Sequence, residues 1–282
     1  MVKEKRLGLR ERIGIDLGRR VRLEDGIEWA AQNDVRFIDV QLDIDANAVT
    51  AFDDKRAEGV RQLAAKHGVT LGLHTLSAVN VAEYSPYVGE AVDAYLKSHI
   101  DIYPKLGAQW IVVHAGYHFS SDVEMRMEAG CARLSRMVDY AEKKGAVLYL
   151  ENLNNEPADA EVHYLAHTVT EWMYYLDRIK SPNFRMSFTA NHAHLVPDGI
   201  DGFIDALDFS RVGEVRLADC RRLGKEEHLQ PGAGNLDFGN LFKRIEAAGF
   251  KGHYMNAFGT LDDMLAGREY EIGKARAAGV AV

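Results

Sequence analysis

Residues 110–118, WIVVHAGYH, carry the reading of the fold: a short apolar run stops on a histidine, His114, just before an Ala-Gly turn. The same pattern stands on both sides of it. VTLGLH (69–74) ends on His74 and VLYLE (147–151) ends on Glu151. FRMSFTANHAH (184–194) leads to His192, and VRLADCRR (215–222) leads through ADCRRLGKEEH to His228. Polar residues repeatedly placed at strand ends are what a barrel enzyme uses to build one site from several strands.

Working outward gives eight strand candidates: 13–17, 37–42, 69–74, 110–114, 147–151, 185–189, 212–217 and 253–257. Amphipathic helical stretches lie between them, several closed by glycines (Gly68, Gly107, Gly145, Gly249), as helix C-caps are. Asp237 stands where an N-cap belongs, ahead of FGNLFKRIEAAG. Eight strand–helix repeats without a Pro- or Ser-rich linker predict an α/β fold, a single (β/α)8 TIM barrel over residues 1–282. The longest connections follow the third, fifth and seventh strands, so the long loops and the polar strand ends share one face.

Composition narrows the function. With 34 Lys and Arg against 42 Asp and Glu, the net charge is −8, which disfavours a general nucleic-acid binder. Two cysteines, Cys131 and Cys220, give neither a disulfide framework nor a thiolate metal site. No apolar run has the length of a signal peptide's core or of a bilayer span, so no membrane partner is expected. The expectation is a cytoplasmic monomer or homo-oligomer acting on a small molecule.

Four segments in this order, LHTLSAVN, WIVVHAGYH, LYLENLN and HLQPGAGNLDF, resemble the xylose isomerase-like barrel superfamily, which joins sugar isomerases and epimerases to the AP endonucleases. The resemblance runs from IGIDLG (13–18) to HYMNAF (253–258). It implies a central divalent metal held by Glu, Asp, His and Glu on the last four strands. Glu151 matches the first of these ligands; Thr189, Arg216 and Asn256 stand at the other three, with Asp219 retained beyond Arg216. The resemblance to the trinuclear endonucleases also implies two flanking ligand sets: His74, His114 and Glu151, and His192, Glu226 and His228.

Arg216 changes the chemistry expected at the centre. Two unit charges about 4 Å apart repel by roughly 4 kcal/mol at an effective dielectric near 20, and a divalent ion by about twice that. An inward Arg216 is therefore expected to exclude the central metal and to supply its charge to a carboxylate, phosphate or enediolate.

The leading expectation is an isomerase, epimerase or lyase that removes a proton next to a carbonyl of a sugar-like, polyhydroxy or carboxylate substrate, anionic where Arg216 is its anchor, without a cofactor. Glu151, Arg216, His192 and His228 are the expected catalytic groups. His74, His114, Thr189, Asn256, Glu226 and Asp219 are expected to contact substrate, with Tyr84, Tyr87 and Tyr117 as candidate walls. Arg221, Arg222 and Lys225 form either a solvated loop or an anion-binding lid. Two alternatives stand beside this reading: a Mn, Mg or Zn enzyme using the flanking ligands, and a silent binding protein. Endonuclease activity is not expected.

Overall fold

The computed structural model describes residues 7–119 and 121–282; the basic opening MVKEKR and Ser120 lie outside the described residues. Among the described residues there are ten strands: β1 (Ile13–Gly18), β2 (Phe37–Val40), β3 (Thr70–His74), β4 (Trp110–Val113), β5 (Tyr117–His118), β6 (Leu148–Glu151), β7 (His163–Tyr164), β8 (Phe184–Thr189), β9 (Val212–Leu217) and β10 (His253–Asn256). Eight of them close an all-parallel barrel in the order β1-β2-β3-β4-β6-β8-β9-β10, with β10 paired back to β1. Their bounds agree with the expected segments to within two residues. Gly68, Gly107 and Gly145 cap their helices in the left-handed conformation, and the Asp237 side chain accepts from Asn240 N–H.

Strand periodicity decides which side chains face the interior, because residues paired across neighbouring strands point to one side. Glu151 pairs with Ser187, Ser187 with Glu214, Thr189 with Arg216 and Arg216 with Met255; all of these face inward. Asn256 pairs with Leu217 and Ile15, whose side chains belong to the core between barrel and helices.

Inside, the end of the barrel near the strand N-termini is filled by Trp110, Val112, Tyr149 and Met255, with Phe37 packed against them. Gly72 makes room for this layer: a Cβ there would lie 2.0 Å from the Trp110 ring. Above it the interior turns polar, which is unusual for a barrel core and marks the functional end.

The connections after β4 and β6 are joined to one another. β5, after β4, pairs antiparallel with β7, after β6, setting Tyr117 against Tyr164 and His118 against His163. Among the described residues no helix is long and apolar enough to cross a membrane.

Candidate active site

Three strands deliver His74, His114 and Glu151 to one point. His74 Nε2 lies 3.3 Å from His114 Nε2 and 3.4 Å from Glu151 Oε2, and His114 Nε2 lies 3.1 Å from the same oxygen. The Thr75 hydroxyl is 3.0 Å from the Val112 carbonyl and 3.2 Å from His114 Nδ1. A hydroxyl has one proton, so when it donates to Val112 it accepts from His114 Nδ1–H. A neutral His114 then presents the lone pair of Nε2 to the Glu151 carboxylate.

Two acceptors at that distance need a proton or a cation between them. The groups titrate accordingly. Burial pushes His114 below the ordinary histidine range. His74 is opposed by burial and by Arg216 but is carried above that range by Glu151 and Asp39. Burial works against an ionised Glu151, yet the two histidines hold its carboxyl well below the usual range.

A second cluster stands across the mouth. His192 Nδ1 lies 2.8 Å from the Asn152 carbonyl and His228 Nδ1 lies 2.6 Å from the Ala257 carbonyl, so both rings donate there. Their Nε2 atoms then turn to Glu226 Oε1, at 3.5 Å from His192 and 2.7 Å from His228. The Glu226 side chain is 37% exposed and that of His228 39%. The neighbouring His192 and His228 hold the Glu226 carboxyl well below its ordinary range. His228 is raised: burial opposes its charge, but Glu226 outweighs burial. The two clusters meet where His192 Nδ1 comes within 3.7 Å of Glu151 Oε1.

Arg216 points into the barrel, as expected, but its partners are not those expected. Its Nη1 lies 2.5 Å from Asp39 Oδ2 and 3.2 Å from Glu214 Oε1, and its Nη2 lies 2.8 Å from Asp16 Oδ2. Asp16 and Asp39 are register partners on β1 and β2, so the barrel closure itself brings them to β9. Glu214 also accepts from Ser187 and from His253 Nε2, at 2.8 and 2.9 Å. The guanidinium is thus committed to carboxylates, as a desolvated cation must be, and its charge is not held in reserve for a substrate anion. One cation does not hold three buried carboxylates equally. Burial raises Asp39 to about 7, with Arg216 pulling it back, whereas Arg216, His253 and Ser187 overcome burial at Glu214 and lower it to about 2.

Other expected contacts are also relocated. Asn256 is fully buried but faces outward, donating to the Met264 carbonyl on the helix Leu261–Ala277. Asp219 is a loop anchor: its carboxylate accepts from the N–H groups of Cys220, Gly232, Gly234 and Leu236. Arg221 pairs with Glu227 and Arg222 bonds the Pro197 carbonyl, which favours a solvated loop over an anion-binding lid. Tyr84 and Tyr87 are exposed rather than walls, and burial pushes the Cys220 thiol up to about 12. Thr189 does face the site, donating to Glu151 Oε1 at 2.5 Å.

Sequence reasoning passed over Asp16, Asp39 and Glu214. IGIDLG and FIDV each place one aspartate inside an apolar run, and a charge interrupting a buried strand is a signal that could have marked them.

The residues at the family's central position do not fit an ion: Asn256 faces away, Thr189 donates to Glu151, and Arg216 is itself the cation. The trio His74, His114 and Glu151 does fit. A tetrahedral ion with bonds of about 2.0–2.1 Å sets its ligand atoms roughly 3.3–3.4 Å apart, close to the 3.1–3.4 Å observed. Asp16, Asp39 and Glu214 surround the guanidinium and offset the repulsion Arg216 would exert on a metal. In the second cluster, the 2.7 Å contact of His228 with Glu226 is a hydrogen bond rather than a spacing for an ion.

Comparison with known proteins agrees with this architecture. Residues 27–260 match the family model described as xylose isomerase-like TIM barrel. Protein MJ1311 of Methanocaldococcus jannaschii is 24% identical over 203 residues, spanning 70% of this chain and 67% of that protein. Among solved structures, a D-tagatose 3-epimerase-like protein superposes with a TM-score of 0.80 at 20% identity, covering 95% of this chain and 98% of its own. D-Psicose 3-epimerase from Clostridium cellulolyticum H10 follows at 0.76 and 16%, covering 96% and 100%. The 3-keto-D-glucoside 4-epimerase of E. coli gives 0.72 and 16%, covering 94% and 99%. At such identities these structures share the fold.

Proposed function

The chain belongs to the xylose isomerase-like TIM barrel family, and from that premise we propose that it is an isomerase or epimerase of a sugar or similar polyhydroxy carbonyl compound. The epimerases that share its fold support the substrate class. The observation that carries the reading is the convergence of His74 Nε2, His114 Nε2 and Glu151 Oε2 within 3.4 Å of one another. These residues would hold a divalent ion of the Mn, Mg or Zn class, off the family's central position. Bound there, such an ion would polarise a substrate carbonyl and stabilise negative charge on its oxygen.

The chain's own groups move the proton. Glu226, ionised and open to the mouth, takes it from the carbon beside the carbonyl, leaving the electron pair as an enediolate. His228, 2.7 Å from that carboxylate, steadies it through Nε2–H and, with its raised affinity for a proton, returns one, taking its replacement from the protonated Glu226. Standing beside Glu226, His228 returns the proton from the same side, which at the neighbouring carbon gives an isomer; an epimer needs a donor at the opposite face of the same carbon. Arg216 sits beneath as a structural counter-ion, a role that replaces the metal-free reading in which it bound the developing anion.

The experiment is proton exchange in D2O, followed by NMR over a panel of ketoses and aldoses with the purified, metal-supplemented protein. Deuterium should enter beside the carbonyl of at least one sugar, and Glu226→Gln should abolish this with folding intact. Exchange that persists undiminished in Glu226→Gln would discard the assignment. Saturable sugar binding without any exchange would favour a silent binding protein.

A further inference from the structure

We infer that Thr189 and Asn152 form a positioning pair that dedicates one oxygen of Glu151 to the two histidines. The inference rests on the metal-holding reading above and deepens it. The end torsion of a glutamate is broad and sets no orientation of its own, so something must choose which oxygen faces His74 and His114. The Thr189 hydroxyl makes that choice: it donates to Oε1 at 2.5 Å, leaving Oε2 at 3.1 Å from His114 and 3.4 Å from His74.

Thr189 is itself clamped. Its N–H donates to Asn152 Oδ1 at 2.7 Å, and Asn152 Nδ2 donates to its carbonyl at 3.0 Å. The last backbone pair between β6 and β8 is Glu151 with Ser187, so this side-chain amide continues the pairing where the ladder stops. Both residues are buried, Asn152 completely. The main-chain carbonyl of Asn152 also accepts from His192 Nδ1 at 2.8 Å. One residue therefore fixes Glu151 through its side chain and His192 through its backbone. A threonine serves here where an acid would not: a hydroxyl donates to the carboxylate, whereas a second carboxylate repels it.

The test compares Thr189→Val, which keeps the shape and removes the donor, with Thr189→Ser, which keeps the donor. Co(II) alone is titrated into the metal-free full-length protein and followed by its visible absorption, and the metal-free variants are crystallised. The valine variant should stay folded and bind Co(II) roughly 10–100-fold more weakly, the loss typical of a missing outer hydrogen bond. Serine should restore binding, and the Glu151 carboxylate should be rotated in the valine crystal only. Equal Co(II) affinity in wild type and valine variant, with Glu151 unmoved, overturns the inference and leaves the metal reading standing. If the wild type takes up no Co(II), the metal reading fails, and the crystals decide alone: a rotated Glu151 upholds the pair and an unmoved one removes it. Should the valine variant not fold, Thr189→Ala gives the same comparison.

Discussion

Arg216 Nη1 lies 2.5 Å from Asp39 Oδ2 in the middle of the barrel, and neither side chain is more than 3% exposed. This pair reverses the meaning that Arg216 carries in the sequence. At the end of a strand otherwise built for ligands it reads as a cation waiting for an anion. In the fold it is an internal ion already surrounded by Asp39, Asp16 and Glu214. Its role is to let those carboxylates be buried, and the site above is left to the histidines and Glu151.

Removing that cation should therefore show first in stability. Arg216→Met leaves three carboxylates without their shared partner, and breaking a buried ion pair on one side typically costs about 3–5 kcal/mol. Arg216→Lys should recover part of this, because a point charge does not fork between Nη positions. Urea unfolding measures both. A methionine variant as stable as wild type but without activity would return Arg216 to the substrate.

Asp39 supplies a pH signature. Its folded pKa, about 7, lies above the ordinary aspartate value of 3.8, so the folded state holds a proton that the unfolded chain releases earlier. Between pH 4 and 7 the native state binds more protons, and stability from this group falls as pH rises through that window. Asp39→Asn should remove the slope, gaining relative to wild type as pH goes from 5 to 8. Parallel stability curves for the two proteins would show that Asp39 stays ionised throughout.

The barrel and its polar rim were legible because each strand repeats a local pattern: an apolar run, then a polar residue at its end. The grouping of His74, His114 and Glu151, and of His192, Glu226 and His228, came instead from the resemblance to the trinuclear endonucleases, since Glu226 and His228 lie in a loop beyond the strand that ends at Leu217. Orientation was less legible. Asn256 and Arg216 occupy neighbouring strand ends in the sequence pattern, but the register with Ile15 and Leu217 turns Asn256 outward while the register with Thr189 and Met255 turns Arg216 in. A one-residue phase decides this, and it depends on pairings made by barrel closure. The β5–β7 pair was hidden for the same reason, being two residues on each side with no turn between them.

Asn256 can be tested as a structural residue. Its amide donates to the Met264 carbonyl and it lies beside Glu271, whose carboxyl is fully buried and raised well above the ordinary range by that burial. Asn256→Ala should lower stability by about 1–3 kcal/mol, the usual cost of leaving a buried polar group unpaired, while KM and kcat hold. Asn256→Glu, which restores the residue type expected of a ligand, should be worse, since it buries a second carboxylate beside Glu271 and adds no metal affinity. A rise in KM with unchanged stability for the alanine variant would put Asn256 back in the pocket.

Asp219 separates the two halves of the site. Its Oδ1 accepts from the N–H groups of Cys220 and Leu236, and its Oδ2 from those of Gly232 and Gly234. These bonds gather the ends of a loop that carries Glu226 and His228, the pair proposed to transfer the proton, while His74, His114 and Glu151 belong to other strand ends. Asp219→Asn keeps one oxygen but turns an NH2 group toward two backbone donors, so half of the anchor becomes repulsive. The loop should loosen and be cut by trypsin at Arg221, Arg222 or Lys225, all exposed. kcat should fall because Glu226 loses its place, yet Co(II) uptake by His74, His114 and Glu151 should match that of wild type. Loss of Co(II) uptake in Asp219→Asn would mean that the loop also supplies the ion's surroundings, and that the two clusters work as one centre.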